Sequence, residues 1–278
     1  MLESDYNYID EGERMDIMKL VIACHQLSFS SNKYENLNRI LSVLDETEAQ
    51  LHVFPEYSMG IPPSGLTPIF VKENAECLEG KFINKILEKT RERGLAAVFT
   101  TFLKQGDSYF NTAILAEKGK IKALYKKIHL FDVLGHNESE LFSSGNKLAF
   151  TEVNGFTIGL AICFDLRFPE LFRAMAYKGV DLFILPSAWY NGRYKLEQWQ
   201  ILVRARAHEN GAYVVAVDQT SPFCIGHSIV ASPWATVLKE LGERETSFTK
   251  ELDPKQIKEA RKLIPILALS KPELYREF

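Results

Sequence analysis

Short apolar runs alternate with helix-periodic stretches along this chain, and that alternation restricts its fold more than any other feature. The run from Lys19 to Cys24 reads as a buried strand. Leu37, Ile40, Leu41 and Leu44 follow at i, i+3, i+4 and i+7, which predicts an amphipathic helix over residues 33–47, with Asn32 and Glu35 as a capping pair. Leu51–Phe54 is a short strand stopped by Pro55. A second helix runs through Phe82, Ile83, Ile86 and Leu87, and Gly94 sits where a left-handed stop belongs. Leu95–Phe102, Tyr109–Ala116 and Ile121–Tyr125 read as strands joined by tight turns.

The second half repeats the rhythm. Residues 147–153 and 156–162 flank Asn154-Gly155, a two-residue hairpin signal. A helix starting near Pro169 and ending at Gly179 leads to the strand Asp181–Leu185. A helix over 195–210 then leads to Ala212–Val217, a hairpin of Cys224–Ala231 with Thr236–Lys239, and a last strand, Phe248–Leu252. Helix–strand alternation with two hairpin-rich stretches places helices over the outer faces of sheets. A four-layer α-β-β-α sandwich of two mixed sheets suits this order better than one doubly wound sheet. Periodicity alone leaves both open.

With 278 residues, 46% of them hydrophobic, the chain has enough apolar surface for a large core. Its net charge of −3 offers no basic face for nucleic acid. No apolar run approaches the roughly 18–20 residues that span a bilayer. Four scattered cysteines without a CxxC pair suit reduced thiols, so a cytoplasmic location is expected. Residues 1–17 are acidic and polar, lack the basic and apolar stretches of a secretory signal, and read as an extension ahead of one domain over 18–278.

Three residues stand at strand ends with chemistry to offer. Cys163 lies between the apolar run Phe156–Ile162 and a helix, where a helix dipole would favour thiolate; the same position suits a small buried hydrophobe. Glu56 follows the strand ending at Phe54, where catalytic groups gather in α/β folds, yet a glutamate after a strand is also an ordinary solvated loop residue. Lys127 follows Ile121–Tyr125, as a solvated strand edge also would. No one of them decides the matter.

Their order and local contexts do. Phe54-Pro55-Glu56, Tyr125-Lys126-Lys127-Ile128-His129-Leu130-Phe131 and Cys163-Phe164-Asp165-Leu166-Arg167-Phe168-Pro169-Glu170 resemble the glutamate, lysine and cysteine motifs of the nitrilase superfamily of carbon–nitrogen hydrolases. Glu138-Ser139 resembles the segment that carries a second active-site glutamate. The likeness runs from Met18 to the end, and departures such as Lys126 and Ala235 spare the catalytic positions. It implies Glu56 as the proton acceptor and donor, Lys127 with a backbone N–H, that of Phe164, holding an oxyanion, and Cys163 as the nucleophile of a thioester. It also implies Glu138 as orienter of Lys127 or of substrate, and at least a homodimer, with Phe168–Tyr177, the helix near 205–210 and the Pro265–Tyr275 tail at its interface.

The words CFDLRFPEL, HLFD and ESELFSSGN are closest to the ω-amidase branch, whose substrates are small carboxylate-bearing amides of α-keto acids. A carboxylate calls for a cation. Arg193 is the first choice, although it suits an exposed arginine equally; Arg167 is a second, and its position suits pairing with Asp165 or structural packing just as well. Tyr57, Phe164, Trp189 and Tyr190 complete the expected pocket. The alternatives are a carbamoyl-amine amidohydrolase and a non-catalytic scaffold of the same fold. Without HExxH, GxGxxG or GxSxG in the chain, no metal and no cofactor is expected, and His129 reads as a structural partner beside the lysine strand.

Overall fold

The computed structural model describes residues 19–220 and 222–275, so the expected extension over 1–17 lies outside the described residues. Strand β1 (Leu20–Gln26) leads through helix α1 (Lys33–Glu46) to β2 (Leu51–Val53), and α2 (Pro68–Asn74) and α3 (Lys81–Arg93) lead on to β3 (Ala96–Gln105). β1, β2 and β3 are parallel neighbours, the pairing that helical crossovers enforce. β4 (Ser108–Glu117) and β5 (Lys120–Lys126) extend this sheet as an antiparallel meander.

A hairpin of β6 (Phe150–Val153) and β7 (Phe156–Leu160) opens the second sheet, turning on Asn154 and Gly155 at φ 49° and 79°. Helix α4 (Pro169–Ala176) carries the chain to β8 (Leu182–Ser187), and α5 (Lys195–Asn210) carries it to β9 (Tyr213–Asp218). β7, β8 and β9 are parallel. β10 (Ile229–Ala231) and β11 (Val237–Glu240) add antiparallel strands. β12 (Thr246–Leu252) then crosses back to pair with β1, completing two six-stranded sheets. Helices α6 (Pro254–Leu263) and α7 (Ile266–Leu269) close the described chain.

Side-chain alternation divides the core. Ile22, Val53, Val98 and Leu115 of the first sheet share one buried cluster with Ile158, Ile184 and Val215 of the second. The alternate positions Ala97, Phe99 and Ile114 instead meet Leu37, Ile40, Phe82 and Ile86 of α1 and α3. Both faces of the first sheet are therefore covered, which is why its inner strands bury side chains on both sides. The four-layer order expected from the sequence is the observed one.

Boundaries follow local chemistry. Asn32 caps α1 by accepting from the amides of Tyr34 and Glu35 at 3.0 and 3.3 Å, and Gly94 ends α3 at φ 66°. The strand expected over Cys224–Ala231 forms only from Ile229, because Gly226 and His227 take φ of 71° and 52°, which breaks extended pairing. Helices α2 and α6 were not foreseen. α6 nonetheless carries readable start signals: Asp253, whose side chain accepts from the Lys255 amide, and Pro254 in the first turn.

Candidate active site

Glu56, Lys127 and Cys163 each lie just beyond a strand, and the sandwich brings those strand ends to one place. Phe54 N still pairs with Val98 O, but the Glu56 amide crosses to the other sheet and donates to Ser187 O at 3.1 Å. Pro55 cannot donate, so it releases the chain from its ladder at the point where this crossing begins. The Gln219 side chain secures the turn by donating to Glu56 O at 2.7 Å. Tyr57 follows at φ 58°, and Cys163 is held at φ 47° between β7 and a short 3-10 turn, Cys163–Arg167. Left-handed backbone costs a residue with a side chain on the order of 1–2 kcal/mol, and here it aims the thiol out of the ladder.

The centre is an ammonium among carboxylates. Lys127 Nζ donates to Glu56 Oε1 at 3.0 Å and to Glu138 Oε1 and Oε2 at 3.1 and 2.8 Å. Asn111, on β4, donates to both carboxylates through Nδ2, at 2.7 and 3.0 Å. The remaining Glu56 oxygen accepts from Ala188 N at 2.9 Å, and Glu138 Oε2 accepts from Phe131 N at 2.7 Å. All three charged groups are buried. Burial opposes the Lys127 cation, but Glu138 and Glu56 outweigh it and hold the ammonium well above its usual range. Burial raises the Glu56 carboxyl, with Lys127 pulling against it and Glu138 adding to it. Glu56 is thus a base that keeps a proton readily once it has taken one.

The surroundings of Cys163 favour the neutral thiol. Burial pushes it well above the ordinary cysteine range and the Glu56 carboxylate pushes it further, against Lys127 and the Ala188 amide. The expected thiolate stabilisation by a helix dipole is overridden here: desolvation of a buried sulfur beside a carboxylate outweighs a partial charge. A buried neutral thiol needs its proton removed as it attacks, and a carboxylate of raised pKa is suited to that removal.

A third buried carboxylate fixes the turn. Asp165 accepts from Tyr125 Oη at 2.8 Å, Ile162 N at 2.9 Å, His129 N at 3.1 Å and His129 Nδ1 at 2.7 Å. The cysteine turn is therefore tied to the strand that presents Lys127, and His129, read as a structural partner, contributes two of those bonds.

Tyr57, Lys127, Phe164, Trp189, Tyr190 and Cys163 line one tight crevice of about 20 Å³. Arg193, the first choice for a carboxylate partner, is absent from that lining. Tyr194 between it and α5 turns left-handed at φ 60°, so Arg193 leans outward over the Tyr194 ring, 4.5 Å from its centroid, and donates to the Tyr194 hydroxyl. Arg167 and Lys195 line the crevice instead. The Arg167 guanidinium stacks 4.6 Å from the Trp189 ring and donates to Gln198 Oε1 at 2.8 Å, not to Asp165. Lys195 is buried, its Nζ 5.4 and 5.5 Å from the Phe131 and Trp189 rings, and burial and then Arg167 lower its pKa. Among the described residues neither cation has an ion-pair partner. An anion would bring both into balance.

Sequence reasoning missed Asn111, Lys195 and Asp218. Asp218 ends β9 and accepts from Trp189 N at 2.7 Å, which fixes the crevice wall. Among the described residues its other oxygen makes no close hydrogen bond, and burial pushes this carboxyl well above its usual range against the backbone amides around it. Lys195 had a signal, as a lysine opening a helix after the loop that carries Trp189. Asn111 had none. Among the described residues no group of three or more His, Cys, Asp or Glu side chains is placed to hold a metal ion, and no helix is long and apolar enough to cross a membrane.

The family model for carbon–nitrogen hydrolases matches residues 21–262. The chain is 31% identical over 269 residues to the omega-amidase of Mus musculus, covering 91% of this chain and 96% of that one. It is 28% identical over 253 residues to the deaminated glutathione amidase of Escherichia coli O157:H7, covering 89% and 96%. Among solved structures, the NitFhit protein of C. elegans superposes with a TM-score of 0.85 at 26% identity, over 94% of this chain and 67% of that one.

Proposed function

This chain belongs to the carbon–nitrogen hydrolase family, and on that premise we propose that it hydrolyses a small carboxylate-bearing amide, in the manner of an omega-amidase, through a thioester on Cys163. The observation that carries this reading is the buried Lys127 ammonium shared by two carboxylates beside a buried thiol. The omega-amidase and amidase names of its relatives support the bond type. The two unpaired cations of the crevice support the carboxylate.

Each step has a group to perform it. Cys163 Sγ bonds to the amide carbon while its proton passes to Glu56. Lys127 Nζ, with the Phe164 N–H, holds the oxygen that gains charge. Preorganised donors of this kind are worth on the order of 3–4 kcal/mol each. As the tetrahedral carbon collapses, the C–N bond breaks and Glu56 returns the proton to the departing nitrogen, releasing ammonia. Water then gives a proton to Glu56 and its oxygen to the thioester carbon. The C–S bond breaks, and Sγ recovers the proton, leaving a carboxylic acid. Glu138 fixes Lys127 throughout, while Arg167 and Lys195 hold the substrate carboxylate.

A homodimer accompanies this reading. Ile201 on α5, Ile264 and Leu269 are exposed apolar side chains on the α5 and C-terminal side of the molecule, 66%, 44% and 73% accessible, and would be covered by a second copy. Light scattering at micromolar concentration should give twice the chain mass; a monomer mass rejects the dimer.

The catalytic reading is tested by ammonia release from α-ketoglutaramate and glutaramate. Wild type should release it and Cys163→Ala should not. A silent wild type across a broad amide panel, with Cys163 unlabelled by iodoacetamide, rejects the reading.

A further inference from the structure

The crevice shares walls with a second, wider cleft, and the two differ in charge as well as in size. Tyr57, Phe131 and Tyr190 form walls of both. The outer cleft is much the roomier, about 700 Å³ against about 20 Å³ for the crevice. The crevice holds Arg167 and Lys195 and no acidic lining residue. The cleft's lining includes Glu138 and Glu140 and, among the described residues, no lysine or arginine. Aromatic rings floor the cleft. His136 lies flat on Tyr190, 4.6 Å between centroids at 12°, and Phe131 meets both, 5.1 Å from His136 and 6.0 Å from Tyr190. Phe223 stands edge-on to Tyr190 at 6.4 Å.

An amide has two halves on either side of its carbon. The acyl half stays on the enzyme as the thioester, so it belongs with the group that holds its carboxylate, in the crevice with the cations. The amine half must leave before water enters, and it must leave by the open side. Ammonia needs almost no room there. A cleft of this size, built from stacked rings beside the reacting centre, exceeds what ammonia requires.

We propose that the protein also cleaves secondary amides, at least as well as primary ones, in which the acyl half is anionic and the amine half is a large apolar or aromatic amine without negative charge, seated on His136, Tyr190 and Phe223 in the outer cleft. This rests on the reading of the acyl half given above and adds the identity of the leaving group. The bond changes are those already written, with R–NH₂ departing in place of ammonia. A reversed substrate would put its carboxylate beside Glu138 and Glu140 and its amine beside two cations, so the charges fix the orientation. They also disfavour an amine half that ends in a carboxylate.

The test compares three amides of glutaric acid on the full chain: the primary amide, the N-benzyl amide and the N-carboxymethyl amide. The N-benzyl amide should show a kcat/KM equal to or above that of the primary amide, and the N-carboxymethyl amide should fall at least tenfold below the N-benzyl amide. His136→Ala should lower the N-benzyl to primary ratio of kcat/KM at least fivefold. Hydrolysis of the primary amide with a lower kcat/KM for the N-benzyl amide overturns this inference and leaves the amidase reading standing. An N-carboxymethyl amide within tenfold of the N-benzyl amide, or an unchanged ratio in folded His136→Ala, overturns it too. Failure to cleave any of the three overturns both.

Discussion

Lys127 is gripped by Glu138 through two hydrogen bonds, at 2.8 and 3.1 Å, and by Glu56 through only one, at 3.0 Å. The ammonium is thus anchored chiefly by Glu138, and Glu56 keeps a second oxygen directed to the Ala188 amide near Cys163. Glu138 should matter for position more than for binding. Glu138→Gln should lower kcat about 100-fold with KM changed less than about threefold, in line with the loss of one preorganised charge at an oxyanion site. Steady-state kinetics on a primary amide decide this; a kcat within threefold of wild type removes Glu138 from the catalytic set.

Removing the ammonium itself leaves two buried carboxylates without a counter-charge. Breaking such a cluster costs about 3–5 kcal/mol, so Lys127→Met should unfold at markedly lower urea. The sign with pH follows. Burial already raises Glu56 and Lys127 opposes that rise, so without Lys127 its folded-state pKa climbs further above the unfolded value, the folded state binds more protons, and stability falls as pH rises through that window. Urea melts at pH 5 and pH 8 should show the variant's deficit growing with pH. A deficit equal at both means the carboxylates are not buried together.

The thiol should titrate late. Burial and the Glu56 carboxylate raise Cys163 well above the ordinary range, so the 240 nm absorbance difference between wild type and Cys163→Ala should still be climbing at pH 9. A plateau reached by pH 7 would mean a resting thiolate, and Glu56 would then have no proton to remove.

Much of this architecture was legible because it follows from periodicity and punctuation. The apolar strand runs, the spacing of Leu37, Ile40 and Leu44, and the stops at Gly94 and Asn154-Gly155 each act within a few residues. The convergence of Glu56, Lys127 and Cys163 was legible only as motif order, since their meeting depends on strands from both sheets ending on one side. Arg193 and Lys195 are two residues apart, and which of them reaches the crevice turns on the left-handed φ of Tyr194, a bulky residue whose sequence gives no warning of it. Asn111 sits within β4 like any strand asparagine. Its role arises entirely from two carboxylates that reach it from loops 55 and 27 positions away.

A buried imidazole pair should make the first sheet sensitive to acid. His25 Nε2 and His52 Nδ1 lie 3.0 Å apart, Ser247 Oγ meets His25 Nδ1 at 2.9 Å, and the His25 ring stacks on Phe54. Burial first, and then His52, lowers His25 to about 3, and burial lowers His52 to about 4. Both folded-state values lie below the unfolded value, so the stability they contribute is present above about pH 6.5 and is lost as pH falls towards 4. Between pH 6.5 and 4.5 each imidazole should withdraw on the order of 2 kcal/mol. His52→Gln should therefore lose about 2 kcal/mol less than wild type over that range, measured by urea melts. Equal losses would show that the pair is hydrated and titrates normally.

The unpaired cations of the crevice lead to the sharpest test of substrate charge. Lys195 is buried beside Trp189 and Phe131 with Arg167 as its charged neighbour, an arrangement in which two like charges raise each other's energy until an anion enters. That cost is present in the free enzyme and relieved in the complex, so it strengthens binding of an anion and weakens binding of anything neutral. Lys195→Gln keeps most of the side-chain volume and removes the charge. It should raise KM for glutaramate about tenfold, the worth of a charge-assisted hydrogen bond of about 1.4 kcal/mol, with kcat nearly unchanged. For a neutral amide of the same length, such as valeramide, KM should stay level or fall, because the repulsion with Arg167 is gone. Equal effects on both substrates would mean that Lys195 shapes the crevice without reading charge, and the carboxylate would then have to be held elsewhere.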